Sequence, residues 1–232
     1  MAKLYAWPVM RLPEHLKKAP VGVERLSRDA LSRHQRQRII KAAIDVFAKR
    51  GFQNTSIDNI VAASEASVGG FYLLFDGKDD CFVHCYDSVT ADIRAAVAEA
   101  SSETSSWVAR LTTAVITILR YAEEHPLPAR LVLIEAQTAG PAGVERYSET
   151  MTGLSRALRG GRELTSRGDE LPPRLEDASS AGAAWLLHQR LARGEAAGVV
   201  ELLPEFLAIL AGSYIGEAKA RAHARRALSA KA

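Results

Sequence analysis

At 232 residues, with 47% hydrophobic and 25% charged side chains, the chain can build one small and one larger apolar core, and it is too hydrophobic for a disordered class. The net charge is only +3, yet the first 50 residues hold 12 lysines and arginines against four acids, a surplus of +8 that leaves −5 on the remainder; such asymmetry suits a polyanionic partner at one end. No apolar run is long enough to span a bilayer, and Trp7-Pro8 with interleaved charges stands where a secretory segment needs unbroken apolar residues, so a cytoplasmic protein with no membrane partner is expected.

In chain order, residues 1–32 read as a basic N-terminal arm, because Pro8, Pro13 and Pro20 interrupt it around Lys17-Lys18. The arm is expected either to track phosphate or the minor groove, or to be a solvated leader. Leu26, Ala30 and Leu31 can start a helix that flows into the next segment, where Ile39, Ile40, Ala43, Ile44 and Phe47 form a helical stripe and Gly51 stands at a C-terminal cap position. Thr55 reads as an N-cap, followed by Ile57, Ile60 and Val61 at helical spacing. After the corner Ser64-Glu65-Ala66, Ser67 reads as a second N-cap, opening a helix from Val68 to Phe75 with Phe71, Leu74 and Phe75 inward. Helices this short need a third to bury their faces. The upstream helix supplies it and completes a helix-turn-helix unit over 33–80, with its motif at about 56–75.

The run Ser67-x-Gly69-x-x-Tyr72-x-x-Phe75-x-x-Lys78 follows Thr55-Ser56 and Ile40-x-x-Ala43-x-x-x-Phe47-x-x-x-Gly51. Over residues 34–85 it resembles the TetR (tetracycline repressor) family of bacterial transcription regulators. The resemblance implies that the second short helix enters a DNA major groove, with DNA contacts from Arg36, Arg38, Thr55, Ser56, Ser67, Val68, Gly69, Gly70, Tyr72 and Lys78. Tyr72 can place a phenol on a phosphate, Lys78 is a point charge beside the groove, and Gly69 lets backbone approach backbone. The corner holds Glu65 where relatives often have glycine, and Gly70 puts a second glycine beside Gly69. Val68 to Phe75 contains no Arg, Lys, Asn or Gln, so the usual bidentate base readers are missing. Reading is expected to lean on Val68 against a thymine methyl, on Ser56 and Ser67, and on DNA shape or the arm.

Downstream, apolar stripes predict helices over 79–100, 107–122, 128–138, 143–158, 176–193 and 204–226, with a turn-rich linker at 167–173. No window alternates at strand period, so the fold is expected to be all-α. The resemblance makes residues 81–232 a larger helical domain for ligand binding and dimerisation. Trp107, Tyr121, Leu131, Tyr147, Met151, Trp185 and His188 are its candidate effector-pocket residues, and Trp185, Phe206, Leu210 and Tyr214 its candidate dimer contacts. Cys81, His84 and Cys85 share one helical face, but three ligands from one helix leave a zinc site incomplete, so a packed face is expected and no metal or cofactor. No nucleophile elbow, phosphate-binding glycine loop or paired-cysteine motif occurs, and no enzyme is expected. The expected partners are an operator in double-stranded DNA, a second copy of the chain and a small, hydrophobic effector that releases a repressor from its palindrome. The rival is a non-specific architectural DNA binder with a structural C-terminal bundle.

Overall fold

The computed structural model describes residues 21–104 and 106–229, with side chains from residue 30 onward; the part of the expected arm at 1–20 lies outside the described residues. Residues 21–32, also assigned to the arm, are helical instead. No proline follows Pro20 before Arg50, so α1 runs unbroken over Val21–Arg50. It closes at Gly51, whose φ of +82° suits a residue without Cβ, and whose N–H returns to Phe47 O at 2.9 Å.

α2 spans Ile57–Ser64 and α3 Val68–Tyr72. The first cap lies one residue later than expected. Ser56 Oγ accepts from Asn59 N at 3.2 Å and Asn59 Oδ1 accepts from Ser56 N at 3.1 Å, a reciprocal capping box. Thr55 is buried and donates its hydroxyl to Gly51 O at 2.8 Å, so it closes the preceding loop. The second cap is as expected, with Ser67 Oγ accepting from Gly70 N at 3.0 Å. α3 is shorter than the expected Val68 to Phe75, because beyond Tyr72 the bonding tightens: Leu74 N reaches Phe71 O, three residues back, at 2.9 Å.

The remaining helices are α4 (Lys78–Ser101), α5 (Trp107–Glu124), α6 (Pro126–Leu133), α7 (Gly140–Leu158), α8 (Leu175–Ala192), α9 (Leu203–Ile215) and α10 (Glu217–Ser229). The expected helix at 128–138 divides, its last part forming a 3-10 turn at Glu135–Thr138. The expected last helix over 204–226 divides at Gly216, where φ is +86° and the chain doubles back. Arg221 of α10 then meets Glu217 at 2.9 Å and Glu205 of α9 at 3.4 Å. Among the described residues there is no strand, and no helix is long and apolar enough to cross a membrane.

Two cores result. In the first, Phe47 stacks on Phe52 and both meet Phe82 edge-on, with centroids 5.2–5.6 Å apart. Ile39, Ile60, Phe71 and Phe75 surround them, as do Cys81, Cys85 and Tyr86 of α4 and Leu131 and Ala136 from further along. This core crosses the boundary expected at residue 80. The second gathers Leu119, Leu187, Val199, Leu203, Phe206 and Leu207 from α5, α8, α9 and the 3-10 turn before α9.

The segment expected as a linker is pinned by Arg162. Its guanidinium grips both oxygens of the buried Glu176 at 2.7 and 3.1 Å and donates to the carbonyls of Gly168, Leu171 and Pro172. Tyr214 donates to the same carboxylate at 2.9 Å. The Arg162 bonds hold the Glu176 carboxyl below its usual pKa. A depressed pKa contributes stability that is full above the ordinary carboxylate range and is lost as pH falls through the folded-state value. The urea midpoint of the native protein should therefore fall more steeply on acidification than that of Glu176→Gln; parallel curves would show that the pair contributes no pH-dependent stability.

Candidate nucleic-acid interface

The caps at Ser56 and Ser67 fix the two short helices at a corner, and Glu65 turns it in the left-handed region at φ +52°. Arg38 reaches across from α1 and donates to Glu65 O at 3.4 Å. Phe71 and Phe75 point into the first core, which sets the opposite side outward. Ser67, Val68, Gly69 and Tyr72 are all exposed on it. A Cβ at Gly69 would meet nothing within 4 Å, whereas one at Gly70 would stand 2.7 Å from the Gln35 amide, so Gly70 seats α3 against α1 and Gly69 faces out. The Ser56 and Ser67 hydroxyls accept cap bonds, but each keeps its own proton to donate outward.

The expected cations lie differently. Arg36 stacks over Phe75 at 5.2 Å and hydrogen-bonds His84 Nε2, joining α1 to α4. Lys78 donates to Phe52 O at 3.1 Å and sits 4.3 Å over the Phe52 ring, so it is a half-buried clamp on the loop and not a point charge projecting beside the groove. Three positively charged side chains thus bridge elements of the unit, Arg36 and Lys78 over aromatic rings and Arg38 to a carbonyl at the corner. Beside the corner, His34, Gln35, Arg38 and Ser67 border a cleft of about 360 Å³. The residue that sequence reasoning missed is Leu73, 86% exposed. It follows Gly69 by one helical turn, and that spacing was the available signal.

A second cluster fixes the unit to the rest of the chain. The carboxylate of Glu135, 7% exposed, accepts from Phe52 N at 3.1 Å and pairs with Arg130 at 3.4 Å. Arg130 also donates to Ala48 O, at the end of α1, at 2.9 Å and to Leu191 O, at the end of α8, at 3.5 Å. Both are helix C-termini, where a cation complements the exposed carbonyls. Gln53 adds a bond to Thr138 O at 2.8 Å.

The expected effector-pocket residues are dispersed. Trp107 lies edge-on to Tyr214 and donates to Ala157 O; Tyr121 packs on His125, and burial followed by Asp92 raises its phenol to about 12. Leu131 is fully buried in the first core, Tyr147 packs at that core's edge, and Met151 is half-buried on α7. Trp185 is exposed and stacks on His188 at 5.2 Å. None of the seven lines the cleft beside the corner. Of the expected dimer contacts, Trp185 is on the surface, but Phe206, Leu210 and Tyr214 are at most 8% exposed in the single chain. They are core residues of the protomer, because the fold-back at Gly216 and the packing of α9 cover the face that carries them. Cys81 and Cys85 are free, buried thiols, and burial raises Cys85 well above the usual range. No group of three or more metal-ligating side chains is placed to hold a metal among the described residues.

Two capped short helices meeting at a tight corner, braced by a third and open on one side, define a helix-turn-helix DNA-binding protein. Residues 39–85 match the family described as bacterial regulatory proteins, tetR family. An HTH-type transcriptional repressor of Streptomyces coelicolor is 27% identical over 138 residues, which cover 58% of this chain and 68% of that protein. Two solved structures share the fold. The fatty acid degradation regulator FadR from Bacillus halodurans has a TM-score of 0.66 at 17% identity, covering 76% of this chain and 94% of that one. The transcriptional regulator FadR from Bacillus subtilis, in complex with stearoyl-CoA, has a TM-score of 0.63 at 18% identity, covering 76% and 98%. The chain carries the DNA-binding domain of the tetR family.

Removing Glu135 leaves the buried Phe52 N–H without an acceptor and the Arg130 guanidinium without its counter-charge. Glu135→Ala should therefore cost about 3 kcal/mol in urea unfolding, and Glu135→Gln, which keeps an acceptor, distinctly less. Equal losses would mean that the charge pair, and not the Phe52 bond, is what the site requires.

Proposed function

We propose that this chain is a homodimeric, sequence-specific transcription regulator that represses by occupying a roughly palindromic operator and leaves it when a small hydrophobic effector binds within residues 81–232. The observation that carries this reading is the open face of Ser67, Val68, Gly69 and Tyr72, held rigid by two caps within a segment that matches the family. A two-fold pair presents two such faces, and successive major grooves require them about 34 Å apart or at a multiple. The repressor relative in Streptomyces coelicolor supports the sign of regulation, and the stearoyl-CoA complex of the Bacillus subtilis protein supports an effector with an apolar chain. The exposed Trp185 and Leu186 on α8 support pairing through that helix.

Effector and operator need a physical link, and two candidates exist. α4 enters the first core and extends toward α5, while Arg130 touches the ends of both α1 and α8. A shift at either place alters the attitude of the reading face, and a coupling of about 1–3 kcal/mol suffices for regulation.

Nuclease footprinting on duplexes selected from a random pool tests this. A protected two-fold site, released by a long-chain acyl compound, is the expected result; uniform coverage of every duplex would replace the regulator by the architectural binder. Gly69→Leu should fold with an unchanged unfolding midpoint, since the position is open, and should lose the footprint. Retained protection would mean that this face is not the one that docks.

A further inference from the structure

Three of the nine large hydrophobic side chains exposed among the described residues fall within six consecutive positions: Val68 at 46%, Tyr72 at 56% and Leu73 at 86%. Exposed apolar side chains scattered singly need no account, but clustered ones mark a contact surface. Their spacing puts them on one side of α3 and its last turn, around the open Gly69, while Phe71 and Phe75 occupy the other side. Leu73 has a helical backbone, φ −72° and ψ −17°, so its direction is fixed by the same turn that buries its neighbours.

On α3 itself the side chains that make bidentate base contacts are absent, and two of the cations beside it are engaged elsewhere. Arg36 is held by His84 and Phe75 and Lys78 by Phe52, Arg38 lies on α1 with one donor on Glu65 O, and no Arg, Lys, Asn or Gln stands between Val68 and Phe75. In the major groove the one apolar group on the base edges is a methyl on C5 of a pyrimidine, carried by thymine. Resting on the proposal that this face docks on DNA, we infer that Leu73, flanked by Val68 and Tyr72, reads the operator by burying pyrimidine 5-methyl groups, so that specificity here is set by apolar contact and not by bidentate hydrogen bonds.

Deoxyuridine tests this directly, since it lacks the methyl and keeps every hydrogen-bonding group of thymine. The full-length chain selects a duplex from a random pool, and each thymine of a half-site is then replaced singly by deoxyuridine. At one or two positions per half-site, loss of the methyl should weaken binding about fourfold. Leu73→Ala, which removes an exposed side chain and leaves the fold intact, should bind the thymine and deoxyuridine probes equally at one of those positions. Substitutions all within twofold for the native chain, or a penalty that persists in Leu73→Ala, would overturn the inference while leaving DNA binding intact. Failure to select any duplex would instead overturn the proposed function on which it rests.

Discussion

The arrangement of this protein depends on a carboxylate that is 83 residues away in sequence from the amide it satisfies. Glu135 accepts the Phe52 N–H where α1 has ended and α2 has not begun, a place where an amide has no helical partner. Arg130 neutralises that carboxylate and at the same time bonds a carbonyl at the end of α1 and another at the end of α8. One ion pair therefore fixes the loop that leads into the helix-turn-helix and ties it to a helix with an exposed apolar side chain, Trp185. An isolated surface pair would contribute little, but one that satisfies three backbone groups sets relative position as well.

Around that anchor, three cations of the DNA-binding unit act as braces. Arg36, Arg38 and Lys78 each join two elements of the unit through a ring, an imidazole or a carbonyl. What remains outward on α3 is small, hydroxylated, aromatic or aliphatic. The division is physically coherent: two helices of eight and five residues have too little buried surface to hold an angle by themselves.

Much of this could be read from the residue pattern, because amphipathic stripes carry their own period. α4, α5, α7 and α8 begin and end within about three residues of expectation. The misplacements have local causes. Thr55 and Ser56 are adjacent hydroxyls, and only Asn59, three residues after Ser56, distinguishes which one caps. At 216 a single glycine in an otherwise helical run was enough to end one helix and start another. Long-range polar pairing left no mark: nothing about Glu135 separates it from the surface acids until Phe52 and Arg130 arrive beside it. Likewise, hydrophobicity foretold that Phe206, Leu210 and Tyr214 would be covered, but not that their own chain would cover them.

The 30 residues of α1 form a continuous rod, about 45 Å long at the helical rise. It is held over its second half by the buried Ile39, Ala43 and Phe47 and, near its end, by the bond from Arg130 to Ala48 O. Such a rod is a lever. A tilt of the whole rod by about 4° displaces one end relative to the other by about 3 Å. Small rearrangements beside Arg130 would thus be magnified at the N-terminal end of α1.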